Sequence, residues 1–125
     1  MDPVLRTVGD VNVLDIGGRM ILGSRETDGM GEIVRDLLHA GKKKILLNLE
    51  NVSYIDTASL GVLVAHHKRA AEKQATIKLL NPNAHTLSIL VTTRLNLVFE
   101  IFEGAQPMGF QHERIGLPGC QIHRV

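Results

Sequence analysis

The stretch from Ile45 to Gly61 constrains the fold of this chain more than any other. It opens with ILLNL, a short run rich in β-forming residues that is apolar except for Asn48. Such a run between two helical patterns is typical of a strand covered on both faces. A polar loop, ENVSYID, follows it, and Thr57 begins an apolar helical pattern. A buried strand that feeds a helix through a loop is the basic unit of an α/β sheet.

The rest of the chain repeats this alternation of strands and helices. After a predicted third helix, capped by Asn81 with Pro82 in its first turn, the last strand follows. The order predicts an α/β domain with a largely parallel sheet centre. The elements predicted are strands at Val4–Val8 and Val11–Ile16, an extended piece at Arg19–Leu22, a helix over Glu26–Ala40, a strand at Ile45–Leu49, a helix over Thr57–Lys73, and strands at Thr76–Leu80 and Leu97–Phe102.

Composition bounds the class of protein. With 125 residues, 44% of them hydrophobic and only 3% aromatic, the chain fits one domain with an aliphatic core. A net charge of +1 supplies no general field for nucleic acid or an anionic membrane. No apolar run is long enough for a membrane-spanning helix, and the N-terminus lacks the pattern of a signal peptide. The single cysteine, Cys120, fits a reducing cytoplasm. We therefore expect a cytoplasmic protein that neither enters a membrane nor binds nucleic acid directly.

The last part of the chain differs from the rest. Residues 1–103 carry the periodic patterns, whereas residues 104–125 are rich in Gly, Pro, Gln and His without periodicity, which predicts a mobile or loosely packed tail. Three tail residues, His112, Cys120 and His123, make only a weak zinc pattern. His66 and His67 are adjacent on a predicted helix and point about 100° apart, so they are interpreted as exposed histidines rather than metal ligands. No cofactor, metal site or catalytic constellation is predicted.

The loop-to-helix junction is the candidate functional site. Functional groups in open α/β sheets gather where strands end and helices begin. Asp56 or Thr57 could simply cap the helix, because both residue types satisfy free first-turn N–H groups. The same geometry would tolerate a phosphate on Thr57 or Ser59, since a helix N-terminus favours anions. Residue types alone favour the cap.

A resemblance to a known family sharpens this choice. NVSYIDTASLGVLV closely resembles the core motif of STAS domains, in the branch of bacterial anti-sigma factor antagonists. The segments DIGGR, GKKKILLNL and TIKLLN, and an ending similar to L-x-x-V-F-E-I-F, match in order and spacing over roughly residues 4–103. The resemblance implies the STAS fold, a small mixed β-sheet with α-helices packed on one face.

The function that the resemblance implies is partner switching. Antagonists of this family bind an anti-sigma factor that is also a Ser/Thr kinase, which frees a sigma factor. The kinase phosphorylates a hydroxyl at the start of the central helix, and a PP2C-type phosphatase removes the phosphate. The protein is then a ligand and a substrate, not an enzyme. The partner-binding residues implied here are Asp56, Thr57, Ala58, Ser59, Leu60 and Gly61.

The motif departs from the family pattern, Asp-Ser-(Ser/Thr/Ala)-Gly-Leu-Gly, at two positions. Ala58 occupies the second hydroxyl position, and Ser59 replaces the first glycine. Thr57 is therefore the first candidate for phosphorylation and Ser59 the second. An alternative function, which Ala58 favours slightly, is a non-switching STAS adaptor or scaffold subunit of a sensor or lipid-transport complex.

Overall fold

Six strands, hydrogen-bonded to one another in chain order, form a single sheet in the computed structural model, which describes residues 2–104 and 121–122. The elements are β1 (Val4–Val8), β2 (Val11–Met20), α1 (Arg25–His39), β3 (Lys44–Ile55), α2 (Thr57–Glu72), β4 (Thr76–Leu80), α3 (Ala84–Thr92), a 3-10 turn (Leu95–Leu97), β5 (Ile101–Glu103) and β6 (Gln121–Ile122).

The sheet is mixed, as predicted. Strands β2, β3, β4 and β5 run parallel, while β1 and β6 pair antiparallel at the two edges. The parallel connections each pass through a helix or a helix and a turn, which is why the strands can follow chain order. The tight turn at Gly9 and Asp10 joins β1 to β2, and Gly9 adopts the positive φ of 62° that this turn requires.

The three helices pack on one face of the sheet. Their buried side chains share a single apolar cluster with the inward-facing residues of the central strands, among them Met30, Val34, Leu63, Leu90 and Leu47. A smaller cluster lies on the opposite face and consists of Val11, Val13, Leu46, Leu80 and Phe102. Ile45, Leu46 and Leu47 are at most 1% exposed, so β3 is covered on both faces, as its apolar run predicts.

Strand β3 is longer than its apolar run, and this extension positions the site. Beyond Asn48 it no longer pairs with β4 and continues along β2 alone to Ile55. Two register shifts accompany the extension, between Asp15 and Gly17 and between Gly18 and Arg19. Shifts of this kind are β-bulges, which bend a strand and redirect side chains. Of the predicted extended piece at Arg19–Leu22, Arg19 and Met20 are extended, but they belong to β2, which continues through the bulges to Met20.

Two predictions in the last third of the chain are also wrong. Asn81 does not cap α3 but adopts a φ of 53° and exchanges two hydrogen bonds with Gly104. The cap is Asn83, whose side chain accepts from Thr86 N at 2.8 Å. The predicted strand over Leu97–Phe102 begins only at Ile101, because a 3-10 turn occupies its start.

The predicted tail lies mostly outside the described residues, which omit residues 105–120 and 123–125. The described pair Gln121–Ile122 forms β6 and pairs with Phe102 and Glu103 of β5. In the parts of the chain that are described, no helix is both long and apolar enough to cross a membrane.

Candidate functional site

Asp56 fastens the start of α2 to two neighbouring segments. Its carboxylate oxygen Oδ1 accepts from Ser59 N at 2.7 Å, which makes it the N-cap of α2. Its Oδ2 accepts from Leu22 N at 3.2 Å, and its own N–H donates to Met20 O at 3.0 Å. The hydrogen bond from Ser59 N is the largest cause that lowers the pKa of Asp56 below its ordinary value. The carboxylate therefore stays ionised and holds the β2–α1 loop beside α2.

Thr57 and Ala58 form the exposed rim of this junction. Both lie in the first turn of α2 with their side chains exposed. The first N–H groups of a helix have no partner within the helix, and Asp56 satisfies only that of Ser59. The rim thus presents a hydroxyl, a methyl and first-turn backbone N–H groups at the positive end of the helix dipole.

Ser59 points the other way, into the protein. It is fully buried, and its Oγ lies 2.9 Å from Oγ1 of Thr27, which is 1% exposed. Thr27 in turn accepts a hydrogen bond from Ser24, the N-cap of α1, at 3.3 Å. The three hydroxyls therefore join the first turns of α1 and α2. Sequence reasoning missed Thr27, since nothing in its local pattern shows that α1 and α2 meet there.

A second group of side chains stands beside the rim. The guanidinium carbon of Arg19 lies 5.2 Å from the ring centroid of Tyr54, and the ring of His85 stacks on Tyr54 with centroids 5.3 Å apart and planes 20° apart. Arg19 comes from the end of β2, Tyr54 from the extension of β3 and His85 from the first turn of α3. Sequence reasoning missed this group too, although Tyr54 is the only tyrosine of the chain and stands next to the motif.

The other predicted site residues, Leu60 and Gly61, lie in the first two turns of α2. Leu60 is 3% exposed and packs in the main cluster, and nothing lies within 4 Å of where a Cβ on Gly61 would be.

His66, predicted to be exposed, is only 4% exposed, which corrects that prediction. It lies against α1, where a Cβ on Gly31 would be 3.2 Å from its Nε2. A glycine on the facing helix makes room for the imidazole, and no periodicity within α2 alone reveals this.

Burial changes the chemistry of His66. Desolvation, with the nearby charges of Arg69 and Arg35 adding to it, lowers the pKa of His66 to about 4. Its Nδ1 is buried and has no hydrogen-bond partner among the described residues. No group of His, Cys, Asp and Glu side chains in residues 2–104 could hold a metal ion. His112, Cys120 and His123 of the weak zinc pattern lie outside the described residues.

Comparisons with known proteins agree with this architecture. The anti-sigma-B factor antagonist of Staphylococcus aureus is 38% identical over 71 residues, which cover 56% of this chain and 56% of that protein. The match thus spans about half the length of this curated relative.

Solved structures match over more of the chain. A Thermotoga maritima protein described as a candidate anti-sigma factor antagonist is 25% identical, with a TM-score of 0.72 over 87% of this chain and 92% of its own. The phosphorylated form of SpoIIAA, a Bacillus cell fate determinant, shares the fold with 15% identity and a TM-score of 0.70, covering 90% of this chain and 99% of its own. A family model for the STAS domain matches residues 2–106. The chain therefore belongs to the STAS domain family.

Proposed function

We propose that this protein binds an anti-sigma factor that is also a Ser/Thr kinase, and that this binding frees a sigma factor in the cytoplasm. The name of the curated relative, an anti-sigma-B factor antagonist, supports the partner class. The binding surface we propose is the accessible part of the start of α2, Asp56, Thr57, Ala58 and Gly61, together with the exposed Leu22, which Asp56 holds beside it. Ser59 and Leu60, which the sequence also predicted to bind the partner, are buried and are not part of this surface. The protein acts there as a ligand and a substrate, not as an enzyme.

The acceptor of the phosphate is Thr57. The observation that carries this proposal is the contrast in exposure between the two candidate hydroxyls. Thr57 is exposed in the first turn of α2, whereas Ser59 is fully buried and hydrogen-bonded to Thr27. A kinase must reach the oxygen that it modifies, so Ser59 would require local opening of the α1–α2 contact first. A phosphate on Thr57 would meet the free N–H groups and the positive dipole end of α2.

The size of the switch follows from its charge. A phosphorylated threonine carries up to about two negative charges. Placed about 5 Å from a carboxylate of the partner, at an effective dielectric constant of about 40, it would be repelled by about 3 kcal/mol. That repulsion corresponds to roughly a hundredfold loss of affinity, enough to release the partner.

Phosphorylation by the anti-sigma kinase of the same organism tests the proposal. Wild-type protein incubated with this kinase and ATP should yield one phosphopeptide that contains Thr57. Thr57→Ala should abolish the label, while Ser59→Ala should keep it, and a PP2C-type phosphatase should remove it. Label on another residue, or wild-type protein that neither binds the kinase nor is modified by it, contradicts the proposal.

A second candidate function is a non-switching STAS adaptor in a sensor or lipid-transport complex. The observation that favours it is Ala58, which places a methyl on the rim where the family pattern allows a second hydroxyl. An adaptor would bind its partner equally well as wild type and as Thr57→Glu. A switch would lose the partner in the Thr57→Glu variant, so the same binding measurement separates the two functions.

A further inference from the structure

The side chains of Arg19, Tyr54 and His85 form one assembled surface next to the rim. Arg19 and His85 each contact the ring of Tyr54, which is 36% exposed. The three residues come from β2, β3 and α3, so this arrangement exists only in the folded protein. We call them the Tyr54 cluster.

A β-bulge creates this arrangement. In the register of β2 and β3, Gly18 pairs with Val52 and Arg19 pairs with Tyr54, so Ser53 is the extra residue. Gly18 has a φ of 87°, and its carbonyl accepts from Ser53 Oγ at 3.3 Å. Without the bulge Arg19 would stand opposite Ser53, and the cation would have no ring to lie on. Bulges that redirect a side chain are frequent next to functional sites.

A hydrogen bond holds the third member in place. Asn83, the cap of α3, donates from Nδ2 to Val52 O at 2.9 Å, which ties the first turn of α3 to the extension of β3. His85 is two residues farther along and reaches Tyr54 from there. The cluster is therefore preorganised. A partner that binds it would immobilise few additional side chains of this protein, so the entropy cost of binding is small.

The charge of the cluster indicates the chemistry of the partner. Within the described residues, the guanidinium of Arg19 contacts the Tyr54 ring and makes no ion pair with a carboxylate. It offers planar N–H donors that match a carboxylate in a two-pronged geometry. Tyrosine and arginine are also the residues that most often dominate the binding energy of protein interfaces.

We propose that the Tyr54 cluster is a second anchor of the kinase-binding surface, and that it receives an acidic side chain of the anti-sigma kinase on Arg19. This inference rests on the proposed function. It extends the surface from the rim of α2 to β2 and α3, and it places a carboxylate of the partner near Thr57. Asp56 N donates to Met20 O, so Arg19 and Thr57 each lie one residue from this hydrogen bond.

Calorimetric titration with the purified anti-sigma kinase of the same organism tests the anchor. Tyr54→Ala and Arg19→Ala should each weaken binding about tenfold or more. Arg19→Lys should recover only part of the loss, because an ammonium cannot form the two-pronged contact. Raising the salt concentration should weaken wild-type binding more steeply than Arg19→Ala binding, because the variant has lost an ion pair. Leu5→Ala, at another exposed apolar residue, on β1, is the control and should bind like wild type.

The outcomes separate the two proposals. If wild-type protein does not bind the kinase, the proposed function fails. If wild type binds and both cluster variants bind within twofold of it, the anchor fails and the proposed function stands. Circular dichroism and a thermal melt of each variant show whether it is folded, which distinguishes a loss of binding from a loss of folding. A loss of affinity in Arg19→Ala with an unchanged salt dependence would overturn the acidic contact specifically.

Discussion

At the scale of single residues, three neighbouring polar side chains at the start of α2 lie in three different environments. Asp56 caps the helix, Thr57 is exposed to solvent, and Ser59 is buried against Thr27. The sequence identifies all three as polar groups at a helix start, which is enough to single out this junction as the candidate site. It cannot show which hydroxyl is exposed, because that depends on where α1 crosses α2.

The bond between Ser59 and Thr27 can be measured as a coupling. We expect Ser59→Ala to lower the free energy of unfolding by about 1 kcal/mol, because a buried hydroxyl of Thr27 loses a partner. Thr27→Val should cost a similar amount. The double variant should cost clearly less than the sum, since the hydrogen bond between the two hydroxyls can be lost only once. Urea titrations of the four proteins test this, and strictly additive losses would contradict the bond.

His66 should make stability depend on pH. Its pKa is about 4 in the folded protein and 6.5 ordinarily, so the unfolded chain takes up the proton first as the pH falls. The stability contributed by neutral His66 is complete above pH 6.5 and is lost between pH 6.5 and about 4. We expect a loss of about 1 to 2 kcal/mol over this window, after allowance for partial screening by solvent.

Replacing the imidazole should remove this dependence. His66→Leu should make the free energy of unfolding in urea less dependent on pH between 6.5 and 4.5 than in wild type. His39→Gln, at the exposed end of α1, is the control for the loss of a histidine as such. Equal slopes in wild type and His66→Leu would show that His66 is not buried in its neutral form.

At the scale of elements, prediction succeeded where one pattern determines an element and failed where neighbours do. The apolar spacings of α1 and α2 place both helices to within a residue at each end, and β4 is predicted as observed. The extension of β3 beyond Leu49 was not predicted, because it has no apolar run. It is held in the sheet by pairing with β2 alone. The sequence context of Asn81 is typical of a helix cap. In the structure its side chain forms two hydrogen bonds with the backbone of Gly104 instead.

The contact of α1 with α2 predicts an unusual response to a helix-favouring change. Gly31→Ala should by itself gain about 1 kcal/mol from helix propensity. In this protein the new Cβ would lie 3.2 Å from Nε2 of His66, so we expect little gain or a loss. In a His66→Ala background the gain should reappear. Thermal melts of the two pairs test this, and an equal gain in both backgrounds would contradict the close contact.

At the scale of the whole molecule, one sheet separates a large cluster under the helices from a small cluster on the other face. The order of strands and helices and the resemblance of the motif were sufficient to predict the family and the mixed sheet. Polar residues within the core, Thr27, Ser59 and His66, could not be predicted, because each is buried by a partner distant in sequence.

The large cluster, as far as the structure describes it, is formed by residues 14–101, so we expect a chain that ends at Gly104 to fold. It should be less stable by a few kcal/mol, because Phe102 and Glu103 lose their pairing with β6. Circular dichroism and urea unfolding check this. A truncated chain without cooperative unfolding would show that residues 105–125 are integral to the domain.

The hydrogen bond from Asn83 to Val52 has a consequence for how such proteins diversify. It couples the first turn of a short, mostly surface helix to the strand extension that carries Tyr54. Substitutions in that turn, where His85 is exposed, would therefore change the chemistry of the proposed Tyr54 anchor while the core stays intact.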